Sequence, residues 1–161
     1  MRKLKDHTVE KYLCLLSDKT PTPGGGSASA LTAAVGAALI TMAANYSIGK
    51  SGSKVVDRRL RKIVEQSVKI RDRLIELIDL DAEAYQNVVA ARRADEKIKK
   101  AALRQAAKVP AEVAKLCYKA VSLAPYLVEK GNVNLISDVQ IAIEMLFSSY
   151  KSAMINVEIN R

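Results

Sequence analysis

The chain has 161 residues, 49% of them hydrophobic, with one Phe, no Trp and a formal net charge of +9. That length is enough for one domain with a real core, and an Ala-rich, aromatic-poor core comes from close-packed helices rather than a β-sandwich. Two cysteines far apart in sequence and one histidine in the N-terminal region exclude a disulfide framework and a His/Cys zinc site. The positive balance suits anionic partners such as nucleic acid, anionic lipid or acidic metabolites. Lys and Arg are spread along the chain without a dense basic arm, however, so a solvated basic surface is the preferred reading. No apolar signal-peptide core opens the chain, which leads to the expectation of a cytoplasmic protein.

In chain order, hydrophobic periodicity predicts helices throughout and no strand. A short amphipathic helix covers residues 9–16, with Val9, Tyr12, Leu13 and Leu16 on one side. The segment Pro21-Thr22-Pro23-Gly24-Gly25-Gly26-Ser27 follows. Three glycines permit positive φ and close approach, Ser27 stands where an N-cap is expected, and a helix start offers unpaired N–H groups. This segment is therefore either a tight corner or a backbone cradle for an anionic or acceptor-rich ligand.

The second helix, 27–48, is rich in Ala, Gly, Ser and Thr. Its uncharged run from Ala28 to Gly49 is long enough to cross a bilayer, but small side chains all round mark it as the hub of a bundle. A third helix at 54–91 carries the seam Leu60, Ile63, Ser67, Ile70, Leu74, Leu77, Asp81, Ala84, Val88. A fourth runs from about Asp95 to Leu123, with Pro110 expected to kink or divide it. Pro125 ends that helix or starts a short one, Gly131-Asn132 is a turn, and a last helix covers 135–159. The expected architecture is an all-α bundle of five or six helices around the Ala/Gly-rich one.

Asp81 breaks the rule of its own helix. It occupies a seam position multiples of seven from Leu60, Ser67, Leu74 and Val88, whereas Glu76, Asp79 and Glu83 fall off the seam and are expected in water. Loss of hydration raises a carboxyl pKa and makes it a general acid or base near neutral pH. The alternatives are a place at the end of the bundle or a structural pair with a buried Lys or Arg. Other polar residues carry less by themselves. Tyr85, one turn after Asp81, is core or pocket wall. Asn160 continues the seam of the last helix, and Asn156 lies a turn earlier. Ser137 and Asp138 sit where caps and first-turn acids belong, Asn132 suits a turn, and Lys50 suits a helix C-terminus.

Taken together these motifs resemble the formimidoyltetrahydrofolate cyclodeaminase and methenyltetrahydrofolate cyclohydrolase family. The resemblance runs from the first helix to Asn160. It is carried by Thr22-Pro23-Gly24-Gly25-Gly26-Ser27, Ile48-Gly49-Lys50, Asp81-Ala82-Glu83-Ala84-Tyr85, Val109-Pro110, Gly131-Asn132, Ser137-Asp138 and Asn156-Val157 with Asn160. It implies an all-helical fold, usually homodimeric, that binds a tetrahydrofolate derivative, polyglutamylated or not, with no metal and no cofactor beyond the folate. It implies that Asp81 matches the catalytic carboxylate and that Gly24, Gly25, Gly26, Ser27, Lys50, Tyr85, Asn132, Ser137, Asp138 and Asn160 serve substrate binding. Lys50 or Arg58 would meet the glutamate tail. The chain departs from the family in ending at Arg161 without a further helix and in a short segment between Gly49 and Val55. No formimidoyltransferase segment is fused to it, which favours a stand-alone cyclohydrolase over a cyclodeaminase. An inactive folate-binding or scaffold protein of the same fold is the alternative, and a nucleic-acid-binding bundle rests on charge alone.

Overall fold

A computed structural model describes residues 3–160. Those residues form six α-helices: α1 (Val9–Ser17), α2 (Gly25–Ser47), α3 (Lys54–Ala91), α4 (Glu96–Val121), α5 (Ala124–Lys130) and α6 (Ile136–Ile159). Single 3-10 turns at Leu4–Asp6 and Val133–Leu135 complete the described elements. The expected all-α bundle is present, with α2 at its centre and α3, α4 and α6 packed around it.

Local chemistry sets most of the boundaries. The side chains of Thr8, Ser53 and Asp95 accept hydrogen bonds from the N–H groups of Lys11, Val56 and Ile98, capping α1, α3 and α4. Gly49 and Gly52, at φ of 80° and 68°, turn the chain out of α2, and Pro125 lies in the first turn of α5. Three expectations need correction here. Pro110 does not divide α4, which runs as one helix through the position with the proline ring buried. Ser137 does not cap α6, whose N-cap is Leu135 with no side-chain bond. On α1 only Tyr12 is buried, while Val9 and Leu13 face outward, because a nine-residue helix touching the bundle edge covers a narrow stripe. Cys14 is exposed on that helix, whereas Cys117 is buried.

The core follows from the size of the α2 side chains. Ala30, Ala33, Ala37 and Ala44 have no exposed surface, and larger residues from neighbouring helices, Leu60, Leu74 and Leu146, fill the space they leave. Most of the most apolar 18-residue window of α2, 61%, is buried within the bundle. Polar interruptions of the seam are paired: the buried Thr41 hydroxyl donates to Ser67 Oγ at 2.8 Å across the α2–α3 contact. Asp79 is a correction. It is buried rather than solvated, and its Oδ1 accepts the N–H of Leu4 at 2.6 Å. Its position off the α3 seam is covered by the N-terminal turn, a contact 75 residues distant in sequence.

At Gly36 the packing of α2 against α6 leaves no room for a side chain. A Cβ there would lie 2.8 Å from Leu146 Cγ and 3.2 Å from the Ala142 carbonyl oxygen. Gly36→Ala should therefore destabilise the protein by about 1–3 kcal/mol through overpacking. Chemical denaturation would measure this, and an unchanged midpoint would show that α2 and α6 separate freely.

Candidate active site

The glycine segment does not act as a left-handed cradle. Gly24 is the N-cap of α2 at φ −135°, and Gly25 and Gly26 are already helical. Ser27 is thus the third helical residue and not the cap. Its side chain points into the core, where its Oγ and the hydroxyl of buried Tyr12 are 2.9 Å apart. That hydrogen bond fastens α1 to the start of α2.

Gly26 is required for a different reason. A Cβ at this position would collide with the carboxylate of Asp81. The absence of that side chain lets α3 bring its seam carboxylate directly against the first turn of α2. Burial pushes the Asp81 pKa up, and the backbone N–H of Ser27 opposes the shift by favouring the charged form. Desolvation is the larger effect. None of the described ion pairs includes Asp81, so the structural-pair reading of this residue falls away. Tyr12, which periodicity placed only in an apolar stripe, stands behind the same spot. Burial raises its phenol pKa, and the negative field of Asp81 adds to the effect.

Asp81 faces a cavity of about 330 Å³ lined by Pro21, Thr22, Gly24, Gly25, Gly26, Ala84, Tyr85, Val88, Ala106, Asn156, Ile159 and Asn160. Five segments meet here: the loop before α2, the first turn of α2, the last third of α3, the first half of α4 and the end of α6. The lining is mostly apolar, with two carboxamides and a tyrosine as adaptable polar groups and one carboxylate. Among the described residues that line it there is no Lys or Arg. A cavity of this size is at the low end of those that enclose small molecules. The arrangement suits a flat, partly apolar ligand that carries or develops positive charge beside Asp81 and exchanges a proton with it.

The other sequence-selected residues lie at the opposite end of the bundle. The N–H of Asn132 donates to Ser47 Oγ at 2.8 Å, which fixes Asn132 at the C-terminal end of α2. Lys50 is exposed in the turn after that helix, Ser137 and Asp138 occupy the first turn of α6, and Arg58 is exposed near the start of α3. A 23-residue helix is about 34 Å long, so none of these five reaches Asp81 within one chain. Ser27 contributes its backbone N–H and not its hydroxyl. Of the substrate-binding candidates, the structure gathers Gly24, Gly25, Gly26, Tyr85 and Asn160 around Asp81.

Residues 8–161 match the family model described as formiminotransferase-cyclodeaminase. The chain belongs to that family. It is 36% identical to a methenyltetrahydrofolate cyclohydrolase of Methylorubrum extorquens, with 96% of this chain and 79% of the relative covered. It is 28% identical to the formimidoyltransferase-cyclodeaminase of Rattus norvegicus over 98% of this chain, but spans only 31% of that longer protein. The crystal structure of a formiminotetrahydrofolate cyclodeaminase from Thermotoga maritima superposes with a TM-score of 0.95 at 30% identity, covering 98% of this chain and 80% of that one. In this member of the family, the glycine–aspartate contact between α2 and α3 builds the floor of the cavity.

The raised Asp81 pKa has a stability consequence of definite sign. A carboxyl whose folded pKa lies above its unfolded value binds its proton more tightly when folded. Its contribution is most favourable at acidic pH and declines as pH rises through the folded pKa. Asp81→Asn should therefore melt at a higher temperature than wild type at pH 7, with the difference narrowing on acidification. Thermal unfolding across that range checks it; a variant less stable at neutral pH would mean that the carboxylate is held by favourable contacts.

Proposed function

We propose that the protein is a folate-dependent one-carbon enzyme, a methenyltetrahydrofolate cyclohydrolase or formimidoyltetrahydrofolate cyclodeaminase, in which Asp81 moves the proton. The reading is carried by one observation: a half-buried carboxyl with a raised pKa, seated against Gly26 on the floor of the cavity. The printed names of the relatives supply the substrate class.

In the cyclohydrolase direction, water attacks the cationic methenyl carbon between N5 and N10. Asp81 takes a proton from that water as the C–O bond forms, and the ring opens to the 10-formyl product. The negative carboxylate also stabilises the cationic ring before attack. In the cyclodeaminase direction, N10 attacks the formimino carbon on N5, and the resulting tetrahedral carbon expels ammonia. Asp81 in its protonated form delivers the proton that the leaving amine needs, and the methenyl ring closes. Burial serves both directions, because it brings the pKa of the group closer to neutral pH. Asn156 and Asn160, on successive turns at the end of α6, offer carboxamide donors and acceptors to the polar edge of the bicyclic ring. Tyr85 forms a wall one turn beyond Asp81. Each reaction balances in protons alone, with the folate as the only small molecule besides water or ammonia.

The cyclohydrolase is the first choice. Support comes from the 36% identity to a protein of that name, of which this chain spans 79%. A homodimer working in the cytoplasm completes the proposal. Two free thiols, Cys14 exposed and Cys117 buried, suit a reducing compartment. The +9 surface is then a field that attracts the carboxylates of the folate tail rather than a nucleic-acid interface.

Loss of absorbance of methenyltetrahydrofolate reads one activity, and methenyl formation from formiminotetrahydrofolate reads the other. The folded wild-type protein should accelerate at least one of them. Asp81→Asn should slow the active reaction by at least about tenfold, the lower end of what a positioned proton-transfer group contributes being larger still. A protein inert toward both folates, or a variant with full turnover, refutes the assignment. Gly26→Ala should lower turnover comparably while the helical circular dichroism is retained, since the added methyl displaces the carboxylate rather than the fold.

A further inference from the structure

Beyond the Asp81 cavity, α3 and α4 continue as a hairpin. Val88 is the last residue of α3 in the cavity lining and Ala106 the first of α4, with residues 89–105 farther out. Both α2 and α6 have an end at the cavity itself, where Gly25 and Ile159 line it, so the hairpin stands out past them. Val89 and Ile98 are exposed on it for that reason.

Positive charge concentrates on this hairpin. Residues 92–104 hold six cations, Arg92, Arg93, Lys97, Lys99, Lys100 and Arg104, against the two carboxylates of Asp95 and Glu96. That is +4 of the chain's net +9. Asp95 is engaged as the cap of α4, where it accepts the N–H of Ile98. None of the described ion pairs includes any of the six cations. A helix turns by about 100° per residue, and that rotation sorts them by face. Arg92 lies four residues after Val88 and Lys99 seven residues before Ala106, so these two share the faces that line the cavity. Arg93, Lys97, Lys100 and Arg104 turn away from it. The backbone at Arg92 is still helical, at φ −55° and ψ −30°, so the register carries through. Side chains on a helix lean toward its N-terminus, which brings the Arg92 guanidinium back toward Val88 and the cavity. Lys99 alone of the six is partly buried.

We infer that Arg92 and Lys99 form a subsite for the acidic tail of the substrate, and that the protein takes polyglutamylated folates in preference to the monoglutamate. The inference rests on the folate reading above and names the surface that meets the tail. With the bicyclic ring beside Asp81, the aminobenzoyl group passes the apolar edge at Val88 and Ala106, and the glutamates emerge along the hairpin. Arg92 offers a planar fork matched to a carboxylate, and Lys99 a point charge on a flexible stem. Each further glutamate adds a carboxylate, and the outward cations surround its path with a field of the right sign. That field would attract nucleic acid too, but a duplex would be met by the outward cations, whereas the inward pair continues the cavity.

The test compares the monoglutamate and the triglutamate of methenyltetrahydrofolate at physiological salt, where a Debye length of about 8 Å screens the outward charges. Arg92→Glu combined with Lys99→Glu should raise KM for the triglutamate by roughly tenfold or more, on the scale of a lost charge-assisted hydrogen bond. The loss should fall on KM rather than kcat and should erase the wild-type preference for the longer tail. Arg93→Glu combined with Lys100→Glu makes the same change of charge on the outward faces and should keep that preference. Equal losses in the two paired variants, or a wild type with the same KM for both tails, overturn the inference.

A second readout needs no turnover. In calorimetric titration the wild type should bind pteroyltriglutamate more tightly than pteroylmonoglutamate, and the inward pair of substitutions should remove the difference. A protein that turns over folates without any dependence on the tail keeps its enzyme assignment and loses this subsite. Tail-dependent binding through Arg92 and Lys99 without turnover upholds the subsite and removes the activity. If a DNA duplex binds, both paired variants weaken it alike and pteroyltriglutamate does not bind, the hairpin is a nucleic-acid surface and the inference is wrong.

Discussion

The site depends on the contact between a glycine and a carboxylate at the crossing of α2 and α3. At Gly26 there is no room for a Cβ, because the Asp81 carboxylate occupies that volume. The consequence runs in both directions along the fold. Asp81 is drawn out of water far enough to raise its pKa, yet it keeps one face toward the cavity. The first turn of α2 is held in place from behind by the hydrogen bond between Ser27 and Tyr12, so α1 acts as a buttress for a contact in which its own side chains take no part. A residue larger than glycine at position 26 would push the Asp81 carboxylate off the floor of the cavity.

That contact is possible because α2 is built from small side chains. Ala30, Ala33, Ala37 and Ala44 on the buried side, with Gly36 against Leu146, let three long helices approach a single axis. Close approach is what allows a carboxylate on α3, a pair of carboxamides on α6 and the loop before α2 to share one cavity. The outer side of α2 has the same small, uncharged character without a neighbour to cover it.

The likeness to relatives of different names and lengths is also informative. The chain spans most of a cyclohydrolase and of a cyclodeaminase of known structure, but under a third of the rat fusion protein. One helical scaffold thus occurs in relatives bearing both names. In physical terms this is reasonable, since both reactions pass through a tetrahedral carbon between the same two nitrogens and differ in whether water adds or ammonia leaves. A carboxyl with a raised pKa can give a proton in one and accept it in the other.

What the amino-acid sequence determined alone is whatever depends on neighbours within a turn or two. The period of the seam and the Ser53 cap fixed α3 at Lys54–Ala91, as expected, and the seam singled out Asp81 as the carboxylate on the wrong face. The small residues of α2 announced a hub, and the family motifs named the right chemistry class. Only the tertiary structure decided where the functional groups point. Ser27 looked like a cap and is a buried anchor for Tyr12; Gly26 looked like a flexible turn and is a helical gap for Asp81. Asp79 looked solvated and is covered by Leu4, 75 residues away. Lys50, Asn132, Ser137 and Asp138 were grouped with Asp81 by motif, but a rigid helix about 34 Å long separates them in one chain. Periodicity records which face of a helix is apolar. It carries no information on which other helix, or which other copy, lies against that face, because that is set by contacts between residues distant in sequence.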